Sequence, residues 1–332
     1  MSLVSTEREG PMAVITLDSP PLNLFDRAMT TELIAAIEAG GTKFVCGIGR
    51  DPHQLLDLTR IPTTTPAETL EAVSHWLSKM KVAHGPLAAI GVGSFGPVDL
   101  NPASETYGSI TTTPKPGWQN TDLVNFFKNR FKVPVGFDTD VNAAVLGEYL
   151  WGAGQGMDPL VYLTVGTGVG GGVLVHGRLL HGLMHPEIGH LMVPPPQNSL
   201  AVQREGFCPF HKHCVEGYVS GPALAHRWGV RADSLPADHP AWEEVACTMG
   251  HALMNLTLAL CPRRIILGGG VMSQPHLVPL IRGKLRQHMN GYLSVPQFGR
   301  DLEEFVVPPG LGARSGLLGA LALGKMAFDA RH

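Results

Sequence analysis

From Leu33 onward the chain alternates short apolar runs, amphipathic stretches and glycine turns. Leu33–Glu38 is an apolar run that ends in AGGTK and resumes as Phe44–Ile48, which predicts a strand, a tight turn and a second strand. A helix is expected at Ala67–Met80, where Leu70, Val73, Leu77 and Met80 share one face. Leu87–Gly93 and Val133–Phe137 read as buried strands, and Val141–Trp151 as a helix. The second half restarts the theme. Leu160–Val165 and Gly171–Val175 flank GTGVG, helical stretches at Ala241–Leu260 and His276–Met289 bracket the strand Arg264–Leu267, and Gly316–Ala327 closes as a small-residue helix. Two halves that each open with strand, glycine turn and strand predict a duplicated α/β fold with a cleft between lobes. Ligands in such sheets bind at strand ends, near the glycine turns.

Residues 1–32 break this pattern. They carry one strand-like run, Ala13–Leu17, then a Pro-rich turn and a short amphipathic stretch, and read as an appended leader. Composition narrows the class. The 332 residues are 44% hydrophobic and 16% charged, enough for two domains or one two-lobed domain. The net charge of -3, with no basic cluster, argues against nucleic acid, and no like-charge block suggests a membrane surface. Cys46, Cys208, Cys214, Cys247 and Cys261 are too sparse and too few for a disulfide framework. With no signal-peptide pattern and no apolar run near 20 residues, a reducing cytoplasm is the expected compartment. Cys46, Cys247 and Cys261 are expected to be core residues.

Three turns could cradle phosphate: Gly40-Gly41-Thr42-Lys43, Gly166-Thr167-Gly168-Val169-Gly170 and Gly268-Gly269-Gly270-Val271. Glycine brings the backbone close to a ligand and exposes successive N–H groups. Each could equally be a plain tight turn. No P-loop is present, and both G-x-G-x-x-G matches, at Gly91 and Gly166, lack the strand-then-helix context of a dinucleotide site, so a dehydrogenase is disfavoured.

The motifs IEAGGTK, TDVNAAVLGE, TVGTGVGGG, HPEIGH, a Cys/His cluster, YVSG and IILGGGVM follow one another in that order. In this the chain resembles the ROK family of sugar kinases and repressors, its fructokinase branch above all, from about Leu33 to Ala327. The resemblance implies an α/β, actin-like ATPase (ribonuclease H-like) fold with two lobes and a central cleft. It places a small lobe at 33–139, completed by the C-terminal helix 316–328, and a large lobe at 140–315. It further implies that the first two turns (Gly40, Gly41, Thr42, Lys43; Gly166, Thr167, Gly168) grip the phosphates of ATP. The third (Gly269, Gly270, Val271) would pack on the nucleoside. Mg²⁺ and a homodimeric assembly are implied as well. Residues 1–32, in turn, resemble the opening hairpin of crotonase-type enoyl-CoA hydratase/isomerases, although the rest of that fold is missing.

Asp140 follows a strand and starts the helix VNAAVLGE, which suits either a helix N-cap or a carboxylate that accepts a hydroxyl proton during phosphoryl transfer. The resemblance assigns it the second role. It likewise makes Asn142, Glu187, His190 and Glu216 sugar ligands, a task that suits carboxylates because each accepts several hydrogen bonds. Two departures, Thr139 where many family glucokinases have Asn and Glu38 where Asp is usual, are shared with the fructokinase branch and favour fructose.

Cys208, His211 and Cys214 form C-x2-H-x2-C with His190 upstream, a ligand set that suits tetrahedral Zn²⁺ in a closed, structural site. The resemblance supports His190 as the fourth ligand, and His213 is the rival for His211. The expected activity is ATP-dependent phosphorylation of fructose to fructose 6-phosphate. Its alternatives are a mannose or glucose kinase on the same scaffold and a non-catalytic sugar-binding regulator. The leader argues against the regulator, being short, with only Arg8 and Arg27 as basic residues.

Overall fold

A computed structural model of the chain describes residues 4–9, 12–17, 32–296 and 302–331. At the N-terminus β1 (Val4–Glu9) pairs antiparallel with β2 (Met12–Leu17), so the strand expected at Ala13–Leu17 has a partner that the sequence did not announce.

The first large sheet is built from β3 (Leu33–Ala39), β4 (Lys43–Gly49) and β5 (Leu55–Pro62), followed by α1 (Pro66–His84) and β6 (Leu87–Ser94). After the small pair β7 (Ser109–Ile110) and β8 (Thr121–Asp122) come α2 (Leu123–Phe131) and β9 (Val135–Thr139). The strand order is β5-β4-β3-β6-β9: the first three run antiparallel, and β6 and β9 join parallel. Helix α1 starts where Thr65 caps the Glu68 N–H and Pro66 supplies a preset φ, and it stops at Gly85, whose φ is 106°. Leu70, Val73 and Leu77 are buried on its inner face, so Leu77→Ala would cost roughly 2–5 kcal/mol.

α3 (Asp140–Trp151) leads into the second sheet, which contains β10 (Leu160–Val165), β11 (Val169–Val175) and β12 (Arg178–Leu179). Then follow α4 (Val215–Val219), α5 (Gly221–Trp228), α6 (Ala241–Leu260), β13 (Arg264–Gly268), α7 (Leu277–Met289), α8 (Leu302–Phe305), β14 (Val306–Val307) and α9 (Ser315–Asp329). The order is β12-β11-β10-β13-β14, again an antiparallel hairpin extended by parallel strands. The two sheets therefore share one plan, with the turn Gly40–Thr42 in the first answering Gly166–Gly168 in the second.

Helices α3 and α9 stand between the sheets. A Cβ on Gly91 or Gly136 would lie 1.7 Å from the Ala320 carbonyl or 2.1 Å from that of Leu323, so α9 rests directly on β6 and β9. One on Gly319 would lie 1.6 Å from the Ala143 carbonyl, which sets α9 equally close against α3. The expected small-residue helix thus owes its composition to contact on two sides. Glu148 of α3 is fully buried yet satisfied: it accepts from the N–H groups of Ala153, Gly310 and Leu311 at 2.7, 2.9 and 3.0 Å and from Ser315 Oγ at 2.7 Å. That carboxylate ties α3 to the start of α9.

Among the described residues, no helix is long and apolar enough to cross a membrane. All five cysteines are free. Cys46 is buried as expected. Cys261 is not a core residue: it caps α6 in the left-handed conformation (φ 47°) and is exposed. Cys247 is half-buried on α6.

Candidate active site

A cavity of about 980 Å³ opens between the sheets, lined by Glu38 and Lys43 from the first hairpin, Asp140 from α3, and Gly268–Gly270 from the third turn. Strand ends from both sheets face it, so the cleft expected from two glycine hairpins exists.

Each turn has a structural reason for its glycines. In the first, the Gly40 N–H donates to the Lys43 carbonyl at 3.1 Å and the Gly40 carbonyl accepts from Thr63 Oγ1 at 2.7 Å. Gly41 is open, with nothing near a would-be Cβ, and Lys43 extends into the cavity. In the second, the Gly166 N–H donates to the Gly168 carbonyl, and the Gly166 carbonyl accepts from the Gly221 N–H at 2.8 Å at the start of α5. Thr167 is exposed at its tip. In the third, Gly269 has φ 94°, and a Cβ there would lie 2.4 Å from the Val165 carbonyl, next to the second turn. The second and third turns therefore meet. Val271 departs from expectation: its side chain is 5% exposed within the hydrophobic core, which leaves only its backbone for ligand contact.

Asp140 is the first residue of α3. Thr139, not Asp140, is the N-cap, accepting from the Asn142 N–H at 3.0 Å. The side chain of Thr139 is thus used internally, whereas the Asp140 carboxylate, which accepts from the Val141 N–H at 2.9 Å, lines the cavity. Burial raises its pKa to about 6, although the backbone N–H donors oppose the shift. Glu38 shares the cavity. Burial and then the Asp140 charge push it to about 7, while Lys43 and Arg60 pull it down. Two carboxyls with raised pKa values, one at a helix N-terminus, form a site for proton transfer or for a hydrated cation.

Of the predicted sugar ligands, Glu187 lies within reach of the Asp140 charge and is linked in turn to Glu216. Glu187 precedes the short 3-10 turn Ile188–His190, and its pKa rises to about 7 through burial and then the neighbouring charges of Glu216 and Asp140. Glu216 accepts from the Val169 N–H at 2.9 Å, which anchors it on the second glycine turn. Asn142 is fully buried; its Nδ2 donates to Asp138 Oδ1 at 2.7 Å, while its Oδ1 has no hydrogen-bond partner.

Three residues escaped the sequence reading. Asp138 is 3% exposed and pairs with His181 Nε2 at 2.9 Å; that hydrogen bond raises the His181 pKa. His185, also buried, accepts from the Val98 N–H at Nε2 (3.1 Å) and aims Nδ1 at Glu187 Oε1, 3.4 Å away. Burial lowers its pKa, which keeps it neutral with its proton on Nδ1. The available signal was His181 four residues before His185, the first residue of HPEIGH.

The nitrogen and sulfur ligand atoms of His190, Cys208, His211 and Cys214 lie within 4.8 Å of one another. Cys208 Sγ is 3.9 Å from His190 Nδ1 and 4.0 Å from His211 Nδ1. Ligands of a tetrahedral Zn²⁺ stand roughly 3.3–3.8 Å apart, so these four need only a small contraction to hold one. His213 is not among them: its Nδ1 is hydrogen bonded to the Tyr218 hydroxyl at 2.5 Å.

Comparison with known proteins places this geometry. The ROK family model matches residues 34–327. The chain is 43% identical over 297 residues to a fructokinase of Pediococcus pentosaceus, covering 89% of this chain and 99% of that one. It is 40% identical over 296 residues to a fructokinase of Streptococcus mutans, covering 89% and 98%. Its fold superposes with a TM-score of 0.71 and 25% identity on a ROK family glucokinase from Streptomyces griseus solved with glucose and AMPPNP, covering 89% and 99%. The likeness of residues 1–32 to a crotonase-type hairpin is not borne out, since the family match begins only at residue 34. From the paired glycine hairpins to the Cys/His cluster, the chain belongs to the ROK family.

Proposed function

We propose that this protein is an ATP-dependent fructokinase that transfers the γ-phosphoryl group of ATP to the 6-hydroxyl of fructose. The observation that carries this reading is the position of Asp140. Its carboxylate, raised to about 6, faces a cavity bordered by the first and third glycine turns, and its charge reaches Glu187.

In this reading Asp140 accepts the proton of the sugar hydroxyl as that oxygen bonds to the γ-phosphorus and the bond to the β-phosphate oxygen breaks, releasing ADP. Backbone N–H groups of the first two turns and the Lys43 ammonium hold phosphate oxygens, and the third turn packs on the nucleoside. Glu187, Glu216 and the Nε2 side of His190 read the ring hydroxyls. Glu38 and Asp140 are the groups suited to hold Mg²⁺ or its waters, and bound Mg²⁺ neutralises charge on the phosphates. Zinc held by His190, Cys208, His211 and Cys214 would order the loop that carries Glu187. Closure of the small lobe (33–139 with the C-terminal helix) over the large one (140–315) would exclude water. We place the enzyme in the cytoplasm, where MgATP is available, as a homodimer.

Fructose is favoured over glucose because relatives at 40–43% identity are fructokinases, whereas the superposed glucokinase shares 25%. The test is ADP release with MgATP against fructose, mannose and glucose, with the product identified by NMR. A kcat/KM highest for fructose and a phosphate on the 6-oxygen support the proposal; preference for glucose or mannose overturns its substrate.

A further inference from the structure

Outside the cleft, one group of side chains has no place in the proposed reaction. Cys247 and His251 lie one turn apart on α6, at the i, i+4 spacing that puts two side chains on one face. His288 reaches them from α7, and the ligand atoms of all three lie within 4.8 Å of one another. Cys247 Sγ is 3.7 Å from His288 Nε2, the separation of two ligands on one tetrahedral ion. The imidazoles of His251 and His288 stack with centroids 3.7 Å apart and 14° between planes.

The helices are shaped for this meeting. A Cβ at Gly250 would lie 2.8 Å from Lys284 Cβ and 2.9 Å from His288 Cδ2, so glycine at 250 lets α7 close onto α6 where the cluster forms. Lys284, one turn before His288, is ion-paired with Glu243, which neutralises the nearest cation. All three side chains are half-buried: fixed by the helices yet open to solvent on one side.

We propose that Cys247, His251 and His288 form a second metal site, which binds a borderline divalent cation, zinc first, through one thiolate and two imidazoles with water in the fourth position. Binding breaks the Cys247 S–H bond, sends that proton to solvent and forms the sulfur–metal bond. The two imidazoles rotate out of their stack to direct their lone pairs at one ion. The bound ion clamps α6 to α7, behind the third glycine turn that leads into α7.

The test measures metal content of the full-length protein, saturated with zinc and then desalted. Wild type is expected to retain two zinc ions per chain, His251→Ala one, and Cys208→Ser one. Cys247→Ser, nearly isosteric, guards against misfolding: it is expected to lose the same equivalent, keep wild-type fructose phosphorylation, and reduce thiolate-to-cobalt absorption in the Co²⁺ form. Equal zinc content in wild type, His251→Ala and Cys247→Ser overturns the proposal. If the Cys208 cluster alone failed to bind, wild type would hold one ion that His251→Ala removes and Cys208→Ser leaves, so the two sites fail separately.

Discussion

His185 couples Glu187 to the backbone of the first half: its Nε2 takes the Val98 N–H, and its Nδ1 points at the Glu187 carboxylate. A buried, neutral histidine in this position holds in place the carboxylate proposed to bind the sugar. His185→Ala should raise KM for fructose about tenfold, some 1.4 kcal/mol, and leave KM for ATP within about twofold. Steady-state kinetics with each substrate varied would check it, and an equal rise in both KM values would reject a positioning role.

Asp140 works as a base only when ionised. Its pKa near 6, raised by burial, therefore predicts a kcat that falls about tenfold per pH unit below that value and levels off above it. Glu187 titrates close by, at about 7, but as a sugar ligand it should act mainly on KM. A pH profile of Glu187→Gln that keeps the limb near 6 would assign that limb to Asp140. A profile flat to pH 5 would contradict it.

The hairpins at 33–48 and 160–175 were legible because a glycine turn between apolar runs has one cheap solution. The buried strands β10 and β13 were legible because LVYLTV and RIILG are mostly apolar, as strands covered on both faces must be. Strand β5 was missed for the opposite reason. It lies at the sheet edge, where LLDLTRIP alternates poorly and is largely exposed. Helices α4 and α5, of five and eight residues, follow a Pro- and Gly-rich loop and are too short to show a period. Within the site, the motif residues were readable one by one. The links His181–Asp138 and Val98–His185 span 43 and 87 positions, and only the tertiary fold creates them. The Asn142–Asp138 contact was not readable because a motif gives order along the chain but not which way a side chain turns.

The Cys/His loop should depend on its metal. Prolonged chelation, or Cys208→Ser, should empty the Cys208 cluster and lower Tm by several degrees, and should raise KM for fructose more than KM for ATP, because His190 joins the cluster to the Glu187 loop. Differential scanning fluorimetry beside metal analysis reads this directly. An unchanged Tm in protein shown to be zinc-free would contradict it.

Glu148 of α3 accepts four hydrogen bonds, from Ala153 just past its own helix, from Gly310 and Leu311, and from Ser315 of α9. Glu148→Ala should leave these donors unpaired in the core and cost about 3–5 kcal/mol. Urea denaturation would measure the loss, and a change under 1 kcal/mol would show that water replaces the carboxylate without penalty.

The central claim is that Asp140 removes the proton from a sugar hydroxyl, and Asp140→Asn tests it most directly, because the variant keeps the size and helix position of the side chain and loses only its basicity. Fructose phosphorylation with saturating MgATP should fall at least about 10²–10⁴-fold in kcat, while fructose binding, measured by calorimetry, stays within a few-fold of wild type. A variant that binds fructose and still phosphorylates it at near the wild-type rate would show that the proton goes elsewhere.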